Sequence, residues 1–503
     1  MAHETFAERL RQAMAERGLK QADLVHMAAA RGEKLGKSQV SQYASGKVTP
    51  RRDVMALLAS ILDVDPEWLR SGEQRAAARP ETAHQTVRPT ATKKGSSIMR
   101  EFKKSSKLDN VLYDVRGPVA DEAARMEDEG LRILKLNIGN PAPFGFRTPD
   151  EVIHDMRQQL PECEGYSDSR GLFSARKAIM QYAQLKHLPN VSMDGIYTGN
   201  GVSELIQLCM NALLDTGDEI LIPSPDYPLW TACATLAGGT PVHYLCDEEA
   251  EWCPDLADME SKVTSNTKAI VIINPNNPTG AVYPREVLEQ IVEIARRHQL
   301  MIFSDEIYDR LCMDGFEHVS IASLAPDLPC VTFSGLSKSH MVAGYRIGWM
   351  ILSGNKRCMR DFVYGINMLS NMRLCSNVPA QSIVQTALGG YQSVERYVEP
   401  GGRVYEQRNY VYDALNAIDG ITAVKPKAAF YIFPKIDVKK FNITDDEQFA
   451  LDLLHEKHIL ITRGGGFNWP EPDHFRIVYL PRMGVLREAM GELADFFAHY
   501  RQG

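Results

Sequence analysis

The sequence predicts an α/β protein with a large, mixed but mostly parallel sheet, preceded by an all-α domain. Two observations indicate this architecture. From Ile98 onward, short apolar segments alternate with amphipathic helices, as in sheets that helices cover on both faces. Residues 1–75 show only helical periodicity. Because a chain of 503 residues is too long to fold around one ordinary hydrophobic core, we expect several domains.

The composition is that of a globular protein, with 44% hydrophobic and 24% charged residues. Apolar runs such as Ala269–Ile273 are far shorter than the roughly 20 residues needed to cross a bilayer. The N-terminus lacks the apolar segment of a signal peptide. We therefore expect a cytoplasmic protein without membrane contact. The nine cysteines include no CxxC pair, which favours free thiols over disulfides or a metal site.

Composition divides the chain into three segments. Residues 1–75 form the predicted helical domain. Residues 76–97 (AAARPETAHQTVRPTATKKGSS) have no apolar periodicity, which predicts a flexible linker. In residues 98–503, we expect a large domain at about 146–399. The segments 98–145 and about 400–503 would supply an N-terminal arm and a smaller α+β domain.

Charge is distributed unevenly along the chain. Residues 1–107 contain 20 Lys and Arg against 12 Asp and Glu, a net charge of +8. The whole chain carries −8, so the remaining residues carry −16. This asymmetry is a weak indication of an N-terminus that faces nucleic acid.

Nearly continuous apolar runs predict the strands of the large domain, and Arg285–Arg297 predicts an intervening helix. After about Pro400 we expect a long helix, a strand pair near Ala428–Phe433, the strand Phe475–Tyr479 and a final helix. In parallel sheets, ligands bind beyond the carboxyl ends of the strands. The clearest strand predictions are Glu219–Ile222, Ala269–Ile273, Met301–Phe303 and Val331–Phe333.

Lys338 is the first candidate catalytic residue. It follows a strand and a Gly/Ser turn in Phe333–Trp349 (FSGLSKSHMVAGYRIGW), so it should project from the carboxyl edge of the sheet. Ser334 and Ser337 precede it, and Arg346 follows in the same segment. An amine nucleophile, hydroxyl donors and a cation together suit a cofactor with an aldehyde and a phosphate. Taken alone, Lys338 could equally be a solvated surface lysine.

This segment resembles the cofactor-binding segment of the class I and II (fold-type I) aminotransferases, which use pyridoxal 5'-phosphate. Further motifs occur in the order typical of that family: LNIGNP, TGNGVSELI, PSPDYPLW, INPNNPTG, SDEIYDRL and HFRIVYLP. The resemblance covers about residues 98–503 and is closest to the bacterial alanine-type enzymes. It implies that Lys338 binds the cofactor covalently and acts as general base. It also implies ping-pong transamination, with L-alanine and 2-oxoglutarate giving pyruvate and L-glutamate.

The resemblance assigns two further catalytic residues. Asp305 ends an apolar strand, where a buried carboxylate needs a cationic partner. It matches the family residue that keeps the cofactor's ring nitrogen protonated, although Asp305 could also serve as a helix N-cap. Tyr308 matches a tyrosine that hydrogen-bonds the cofactor's phenolic oxygen, as does Asn277, which would also face the substrate.

The phosphate group of the cofactor would bind at a glycine-rich turn before a helix, where backbone N–H groups are free. Whether Ser334 or Ser337 reaches the phosphate stays open, because the family often has its hydroxyl at the position of Gly335. Tyr166 in GYSDSRGL resembles the tyrosine that reaches the partner subunit's phosphate, which implies a homodimer with shared active sites. The other residues assigned to the cofactor are Gly201, Val202, Ser203, Tyr227 and Arg346.

Arg476 is the candidate ligand of the substrate carboxylate. It lies on an otherwise apolar strand, and a buried arginine needs an anion. Its planar fork suits an α-carboxylate, with an internal salt bridge as the alternative. The resemblance places Gly139 against the same carboxylate. We can assign no second arginine to a side-chain carboxylate, so the choice of side chain is weakly determined.

The apolar periodicity of the N-terminal domain predicts five short helices: Phe6–Arg17, Gln21–Ala30, Lys37–Ala44, Arg51–Leu62 and Pro66–Arg70. The pattern KQADLVHMAA…GKSQVSQYASGKVTP resembles the phage-repressor-like helix-turn-helix family. Leu24 and Ala28 of one helix would then pack against Val40 and Tyr43 of the next. The residues expected to face double-stranded DNA are Gln21, Lys37, Ser38, Gln39, Ser41 and Gln42. A small helical interaction module is the alternative, since residues 1–75 carry a net charge of only +2.

Two other functions of the whole chain stay open. The first is a transcription regulator whose aminotransferase-like body senses pyridoxal phosphate or an amino acid. The second is a related reaction such as β-elimination. The complete set of site residues favours transamination, because a pure sensor has no need of Arg476 beside Lys338 and Asp305.

Overall fold

The computed structural model describes residues 5–30, 35–62, 64, 66–71, 102–109, 111, 113 and 117–503. The chain separates into two compact units, residues 1–101 and 102–503. The predicted linker, residues 76–97, lies outside the described residues. Within the described ranges, no helix is both long and apolar enough to cross a membrane.

The described part of the first unit is made of helices around one small core. Thr5 caps the first helix, since its side chain accepts a hydrogen bond from the backbone of Glu8 while the Glu8 carboxylate binds the Thr5 backbone. Leu10, Leu58 and Leu69 are fully buried in this core. The helices begin and end within one residue of the prediction: α1 (Phe6–Glu16), α2 (Gln21–Ala30), α3 (Lys37–Ala44), α4 (Arg52–Leu62) and α5 (Pro66–Ser71).

The strands of the second unit form one large sheet and several small ones. They are β1 (Leu134–Lys135), β2 (Ile196–Gly199), β3 (Glu219–Ser224), β4 (Thr240–Asp247), β5 (Cys253–Pro254), β6 (Thr267–Ile273), β7 (Met301–Asp305), β8 (Pro329–Gly335), β9 (Gly348–Gly354), β10 (Ile421–Thr422), β11 (Tyr431–Ile432), β12 (Lys435–Ile436), β13 (Ile459–Leu460), β14 (Thr462–Arg463) and β15 (Phe475–Val478).

Helices connect and cover these strands. They are α6 (Pro118–Asp128), α7 (Asp150–Gln159), α8 (Phe173–Leu185), α9 (Val202–Leu213), α10 (Leu229–Ala237), α11 (Leu256–Ser261), α12 (Arg285–Arg297), α13 (Leu336–Ser339), α14 (Arg360–Met372), α15 (Val378–Ser382), α16 (Val384–Gly389), α17 (Glu395–Val398), α18 (Arg403–Asn416), α19 (Val438–Phe441), α20 (Asp446–Lys457) and α21 (Met483–His499).

The large sheet has the strand order β2-β9-β8-β7-β6-β3-β4-β5. Its central strands β4, β3, β6, β7 and β8 run parallel, whereas β9 is antiparallel to both β8 and β2. The predicted mixed, mostly parallel sheet is thus confirmed. The strands β3, β7 and β8 extend past their apolar runs because polar residues continue the pairing. Asp305, for example, pairs with both Ile273 and Phe333.

Helices cover both faces of this sheet. Successive residues of β6 alternate between two buried clusters: Ile270 and Ile272 lie in one, Val271 and Ile273 in the other. This alternation is that of a strand buried on both sides. The helix α12, which has the predicted bounds, buries its apolar face in the first cluster.

A third cluster forms the core of a smaller domain. It combines residues from two distant parts of the chain, such as Leu134 and Leu136 with Phe449 and Leu493. Its sheets are short: β11, β15 and β14 form an antiparallel sheet, β10 pairs with β12, and β1 runs parallel to β13. The strand β15 carries Arg476 towards the carboxyl ends of the large sheet, where its side chain lines a cavity.

Candidate functional site

A cavity of about 240 Å³ lies at the carboxyl ends of the parallel strands and is lined from both domains of the second unit. The fold therefore brings together side chains that are far apart in sequence. Those among them that the sequence analysis predicted are Gly139, Val202, Ser203, Tyr227, Asn277, Asp305, Tyr308, Ser337, Lys338, Arg346 and Arg476.

Lys338 is half-buried on the cavity wall. It lies in α13, the single helical turn that follows β8, so its amine extends beyond the end of the sheet. Its Nζ donates a hydrogen bond of 2.7 Å to the backbone carbonyl of Gly139. A neutral backbone acceptor leaves the amine free to exchange this bond for another partner in the cavity.

Asp305 is a buried carboxylate at the end of β7. Burial raises its pKa to about 6, although hydrogen bonds from the Ile307 backbone and the Trp230 indole partly oppose the rise. These bonds are long, at 3.3 Å from Ile307 N and 3.4 Å from Trp230 Nε1. Among the described residues, no cationic side chain forms a salt bridge with Asp305. A positively charged ring nitrogen in the cavity would supply that partner.

Two pairs of tyrosines form the polar wall of the cavity. The hydroxyls of Tyr308 and Tyr431 lie 2.8 Å apart, and those of Tyr227 and Tyr113 lie 3.1 Å apart. Burial raises the pKa of Tyr308 and of Tyr227 well above the usual range, so both are neutral hydrogen-bond donors at pH 7. Tyr113 and Tyr431 were not predicted as site residues from the sequence. Tyr431 lies in the segment for which a strand pair was predicted, but its strand β11 pairs with the distant β15, and nothing local marked the side that faces the cavity.

The start of α9 could bind an anion. The helix has no side-chain cap, so its first N–H groups are free, and Val202 and Ser203 line the cavity. Gly201 adopts φ 83°, and a Cβ there would lie 2.3 Å from Arg346 Nη2. Arg346 is exposed and donates to two backbone carbonyls, those of Ala343 and Asn200. In the described part of the chain it has no carboxylate partner.

The serines before Lys338 differ in position. Ser337 lines the cavity, whereas Ser334 is buried inside β8, where it pairs with Trp349 of β9. Pairing with Trp349 of β9, next to the Phe333–Asp305 pair between β8 and β7, holds Ser334 within the sheet, so the structure brings only Ser337 to the cavity. The site thus combines an amine that is bonded to a backbone carbonyl, a helix N-terminus, and a buried carboxylate and an arginine that form no salt bridge with any described residue. This set fits a cofactor with an aldehyde, a basic ring nitrogen and a phosphate.

Arg476 also lines the cavity and is 3% exposed. Its Nη1 donates to Asn277 Oδ1 at 2.9 Å, and its Nη2 donates to the Asn137 carbonyl. The guanidinium carbon lies 4.5 Å from the ring centre of Tyr431 and 4.6 Å from that of Phe467. Since no described carboxylate forms a salt bridge with Arg476, the internal salt bridge considered above is not observed. This buried cation can accept an incoming carboxylate.

Tyr166 lies away from the cavity of its own chain and is 82% exposed. Its loop adjoins the end of α14, because Ser169 Oγ donates to Asn371 Oδ1 at 2.7 Å. Along α14, Tyr364, Met368 and Met372 are also exposed at helical spacing. The exposed side chains of α14 thus form an apolar face, and the end of this helix adjoins the loop that carries Tyr166.

In the first unit, α2 and α3 pack together as a helix-turn-helix. The four residues predicted to join these helices, Leu24, Ala28, Val40 and Tyr43, are all buried. The residues predicted to face DNA are exposed: Gln21, Lys37, Ser38, Gln39, Ser41 and Gln42. The side-chain oxygen Oε1 of Gln39 also accepts a hydrogen bond from Gly36 N at 2.9 Å, which leaves the side-chain nitrogen of Gln39 as a donor.

Comparison with known proteins yields two family matches. Residues 132–493 match the family described as aminotransferase class I and II. Residues 10–69 match a helix-turn-helix family. The second match covers most of the described part of the first unit.

Individual relatives share most of the second unit. The glutamate-pyruvate aminotransferase AlaA of Escherichia coli is 57% identical over 404 residues, which cover 80% of this chain and 100% of that protein. The alanine aminotransferase of Mycobacterium tuberculosis is 55% identical over 422 residues, covering 84% of this chain and 98% of that protein.

Solved structures show the same fold. A crystal structure of an aminotransferase from Escherichia coli superposes with a TM-score of 0.80 at 56% identity, covering 80% of this chain and 100% of the other. An alanine aminotransferase from Pyrococcus furiosus superposes with a TM-score of 0.75 at 39% identity, covering 79% of this chain and 100% of the other.

Proposed function

Because this chain belongs to the class I and II aminotransferase family, we propose that it transfers the amino group of L-alanine to 2-oxoglutarate, giving pyruvate and L-glutamate. The observation that carries this proposal is Arg476, a buried cation that forms no salt bridge with any described carboxylate, in the same cavity as Lys338. The relatives named for glutamate-pyruvate and alanine aminotransferase support the choice of substrates.

The enzyme is an aminotransferase and its cofactor is pyridoxal phosphate. When bound, this cofactor supplies an aldehyde for the amino group and an electron-withdrawing ring. Lys338 would bind the aldehyde, and Asp305 would pair with the ring nitrogen. The start of α9, Ser337 and Arg346 would hold the phosphate, while Tyr227, Asn277 and Tyr308 would contact the ring and its substituents.

The chain's own residues can then perform the chemistry. Lys338 Nζ would remove the proton from the substrate α-carbon and deliver a proton to the carbon of the cofactor's aldehyde group, which makes it both general base and general acid. Arg476 orients the substrate by binding its carboxylate through two parallel hydrogen bonds. The neutral hydroxyl of Tyr308 would donate a hydrogen bond to the cofactor's phenolic oxygen and would add no charge to the cavity. Since the amino acid and the oxo acid use the same site in turn, we expect ping-pong kinetics.

The direct test is turnover of the purified full-length protein. L-alanine and 2-oxoglutarate are supplied together, and pyruvate is followed with a coupled dehydrogenase. We expect turnover with the wild type, none with Lys338→Ala, and wild-type rates with Lys262→Ala, a partly exposed lysine that does not line the cavity and pairs with Asp258. No turnover, combined with an intact Lys338-dependent absorbance band of the cofactor, would instead favour the sensor function. Pyruvate and ammonia released from serine would favour β-elimination.

We also propose that the enzyme is a homodimer whose partner covers the apolar face around Tyr166. This face, formed by Tyr166, Tyr364, Met368 and Met372, exposes large side chains that would gain from burial. It adjoins the proposed phosphate site at the start of α9, since Arg373 at the end of α14 donates to the Thr198 carbonyl just before the glycine-rich turn. A partner on this face would bring its Tyr166 near that site.

We propose, in addition, that the first unit binds double-stranded DNA. Support comes from the buried α2–α3 junction and from the exposed polar start of α3, since Gln and Ser side chains reach base edges and Lys reaches phosphate. Two copies in a dimer would suit a two-fold DNA site.

The DNA-binding test uses the full chain and a pool of genomic DNA fragments at several salt concentrations. Once a site is selected, Gln42→Ala should weaken binding by about 1–3 kcal/mol and relax its sequence preference. Lys37→Ala should weaken binding to all DNA sequences alike and lower the slope of log affinity against log salt concentration by about one. If the full chain selects no sequence at any salt concentration, the DNA-binding proposal fails while the catalytic one stands.

A further inference from the structure

A buried ion cluster adjoins the turn that carries two predicted cofactor ligands. Glu306 directly follows Asp305, and Asp309 directly follows Tyr308. Both carboxylates bind the same amine, because Lys186 Nζ lies 2.6 Å from Glu306 Oε2 and 2.8 Å from Asp309 Oδ2. Lys186 comes from the end of α8, more than a hundred residues earlier in the chain. Lys186, Glu306 and Asp309 are called the Lys186 cluster below.

The cluster is almost closed to solvent. The side chain of Glu306 is 0% exposed, that of Asp309 is 6% exposed, and that of Lys186 is 14% exposed. The second oxygen of Glu306 accepts hydrogen bonds from Ser304 Oγ at 2.9 Å and from Ser320 Oγ at 2.6 Å. Buried ions with this many partners hold their atoms in place, because breaking one partner leaves an uncompensated charge.

The backbone at this point has few other restraints. The strand β7 ends at Asp305, and residues 307–310 form a turn outside the sheet. Glu306 N still donates to the Phe333 carbonyl at 2.9 Å, but Asp309 N bonds only back to Glu306 within the turn, at 3.1 Å. The side chain of Tyr308 lines the cavity while that of Asp309 reaches Lys186. The turn is therefore anchored from the side opposite the cofactor.

Neighbouring groups complete the cluster. The Tyr182 hydroxyl donates to Asp309, and the Arg310 guanidinium lies 5.3 Å from the centre of the Tyr182 ring. Burial alone would raise the pKa of Asp309, but Lys186, His318 and Arg310 hold it at about 2. Burial lowers the pKa of His318 to about 4, so this neighbour is neutral at pH 7. Lys186 is thus the cation that both carboxylates share.

We propose that Lys186 is a positioning residue for the cofactor: by binding Glu306 and Asp309 together, it fixes the turn from which Asp305 and Tyr308 reach the ring. This inference rests on the proposed placement of pyridoxal phosphate in the cavity. It assigns the Lys186 cluster a role in cofactor affinity rather than in general stability alone.

The experiment compares cofactor binding by Lys186→Met with that by a matched control. Lys427→Met is the control, because Lys427 is also 14% exposed and also forms a salt bridge of 2.7 Å, but its partner is the exposed Glu251. Each full-length protein is stripped of cofactor, checked for folding by circular dichroism, and titrated with pyridoxal phosphate while tryptophan fluorescence is followed. The rise in Tm at saturating pyridoxal phosphate is measured in parallel.

We expect Lys186→Met to raise the Kd for pyridoxal phosphate about tenfold or more, as loss of an orienting partner does at other cofactor and metal sites. The rise in Tm caused by the cofactor should shrink accordingly. Lys427→Met should show the wild-type Kd. A Lys186→Met protein with a lowered cofactor-free Tm but an unchanged Kd would overturn the inference, since its role would then be structural only.

A second variant keeps the inference testable if Lys186→Met does not fold. Glu306→Gln preserves the shape of the side chain and removes the charge of one of the two carboxylates that bind Lys186. It should therefore weaken pyridoxal phosphate binding by a smaller factor, about threefold or more. Wild-type affinity in Glu306→Gln would overturn the inference. A wild-type protein that binds no pyridoxal phosphate would refute the cofactor placement itself, which separates the two failures.

Discussion

Replacement of Arg476 by glutamine tests the assignment of the substrate carboxylate. The change removes the positive charge and the planar fork but keeps an amide that can donate to the Asn137 carbonyl. Arg463→Gln is the matched control, because Arg463 lies on the adjacent strand β14 and pairs with Asp446 instead of facing the cavity. Both variants alter one arginine of the same small sheet.

The structure sets the expected magnitude. Arg476 is buried, and its guanidinium can offer a substrate carboxylate two charge-assisted hydrogen bonds. At roughly 1.5–3 kcal/mol each, these bonds contribute about 3–6 kcal/mol. Because about 1.4 kcal/mol corresponds to a factor of ten, kcat/KM should fall roughly 10²- to 10⁴-fold. The fall should be similar for L-alanine, L-glutamate and both oxo acids, since all share the carboxylate.

The assay measures kcat/KM for each substrate in both half-reactions, together with the reaction of an amine that lacks a carboxylate, such as ethylamine. This amine cannot use Arg476, so its slow reaction should be equal in wild type and Arg476→Gln. An Arg476→Gln enzyme that loses the ethylamine reaction to the same degree as the alanine reaction would refute the reasoning. The arginine would then support the cavity instead of binding substrate.

Three further predictions concern the cavity and its surroundings. Gly139→Ala should lower kcat/KM at least about tenfold, because the new Cβ would lie 2.0 Å from Tyr431 Oη; Gly484→Ala, with open space around it, is the control. Asp305→Asn should stabilise the cofactor-free protein by up to about 3 kcal/mol at pH 7 while weakening cofactor binding. Burial raises the folded-state pKa of Asp305 to about 6, so the wild type loses stability as pH rises from about 4 to 6 and the buried carboxyl ionises. The difference in unfolding free energy between Asp305→Asn and the wild type, measured by urea unfolding, should therefore vanish near pH 4. Met368→Glu should convert the dimer to monomers in light scattering, because it would bury an unpaired charge in the proposed interface.

Local patterns were sufficient to predict those site residues that end a strand or open a helix. Asp305 and Lys338 each follow a buried apolar run, so the strand itself places the polar side chain at the ligand-binding edge. Nothing local could place Tyr431 beside Tyr308 or Tyr113 beside Tyr227, since these partners lie 123 and 114 residues apart in the chain. Such contacts depend on how the small domain and the N-terminal arm pack on the large domain.

The same limit applies to Lys186 and to the choice between the two serines. In sequence, Lys186 ends an ordinary amphipathic helix, and only the packing of α8 beneath the turn reveals its two buried partners. From the sequence alone, Ser334 and Ser337 are equally good hydroxyl donors. The pairing of Ser334 with Trp349 of β9, which the sequence did not predict, holds Ser334 in the sheet and leaves Ser337 at the cavity.

The charges of the cavity limit how this enzyme can choose its substrates. In the described part of the chain, the cationic side chains that line the cavity are Lys338, Arg346 and Arg476. Lys338 and Arg346 are assigned to the cofactor, which leaves Arg476 for the carboxylate that every substrate shares. The second carboxylate of L-glutamate therefore has no dedicated cation from the described residues of its own subunit. A single shared anchor suits an enzyme that must accept a three-carbon and a five-carbon acid in turn. Discrimination would then depend on the size of the cavity and, in the proposed dimer, on side chains that the partner subunit contributes.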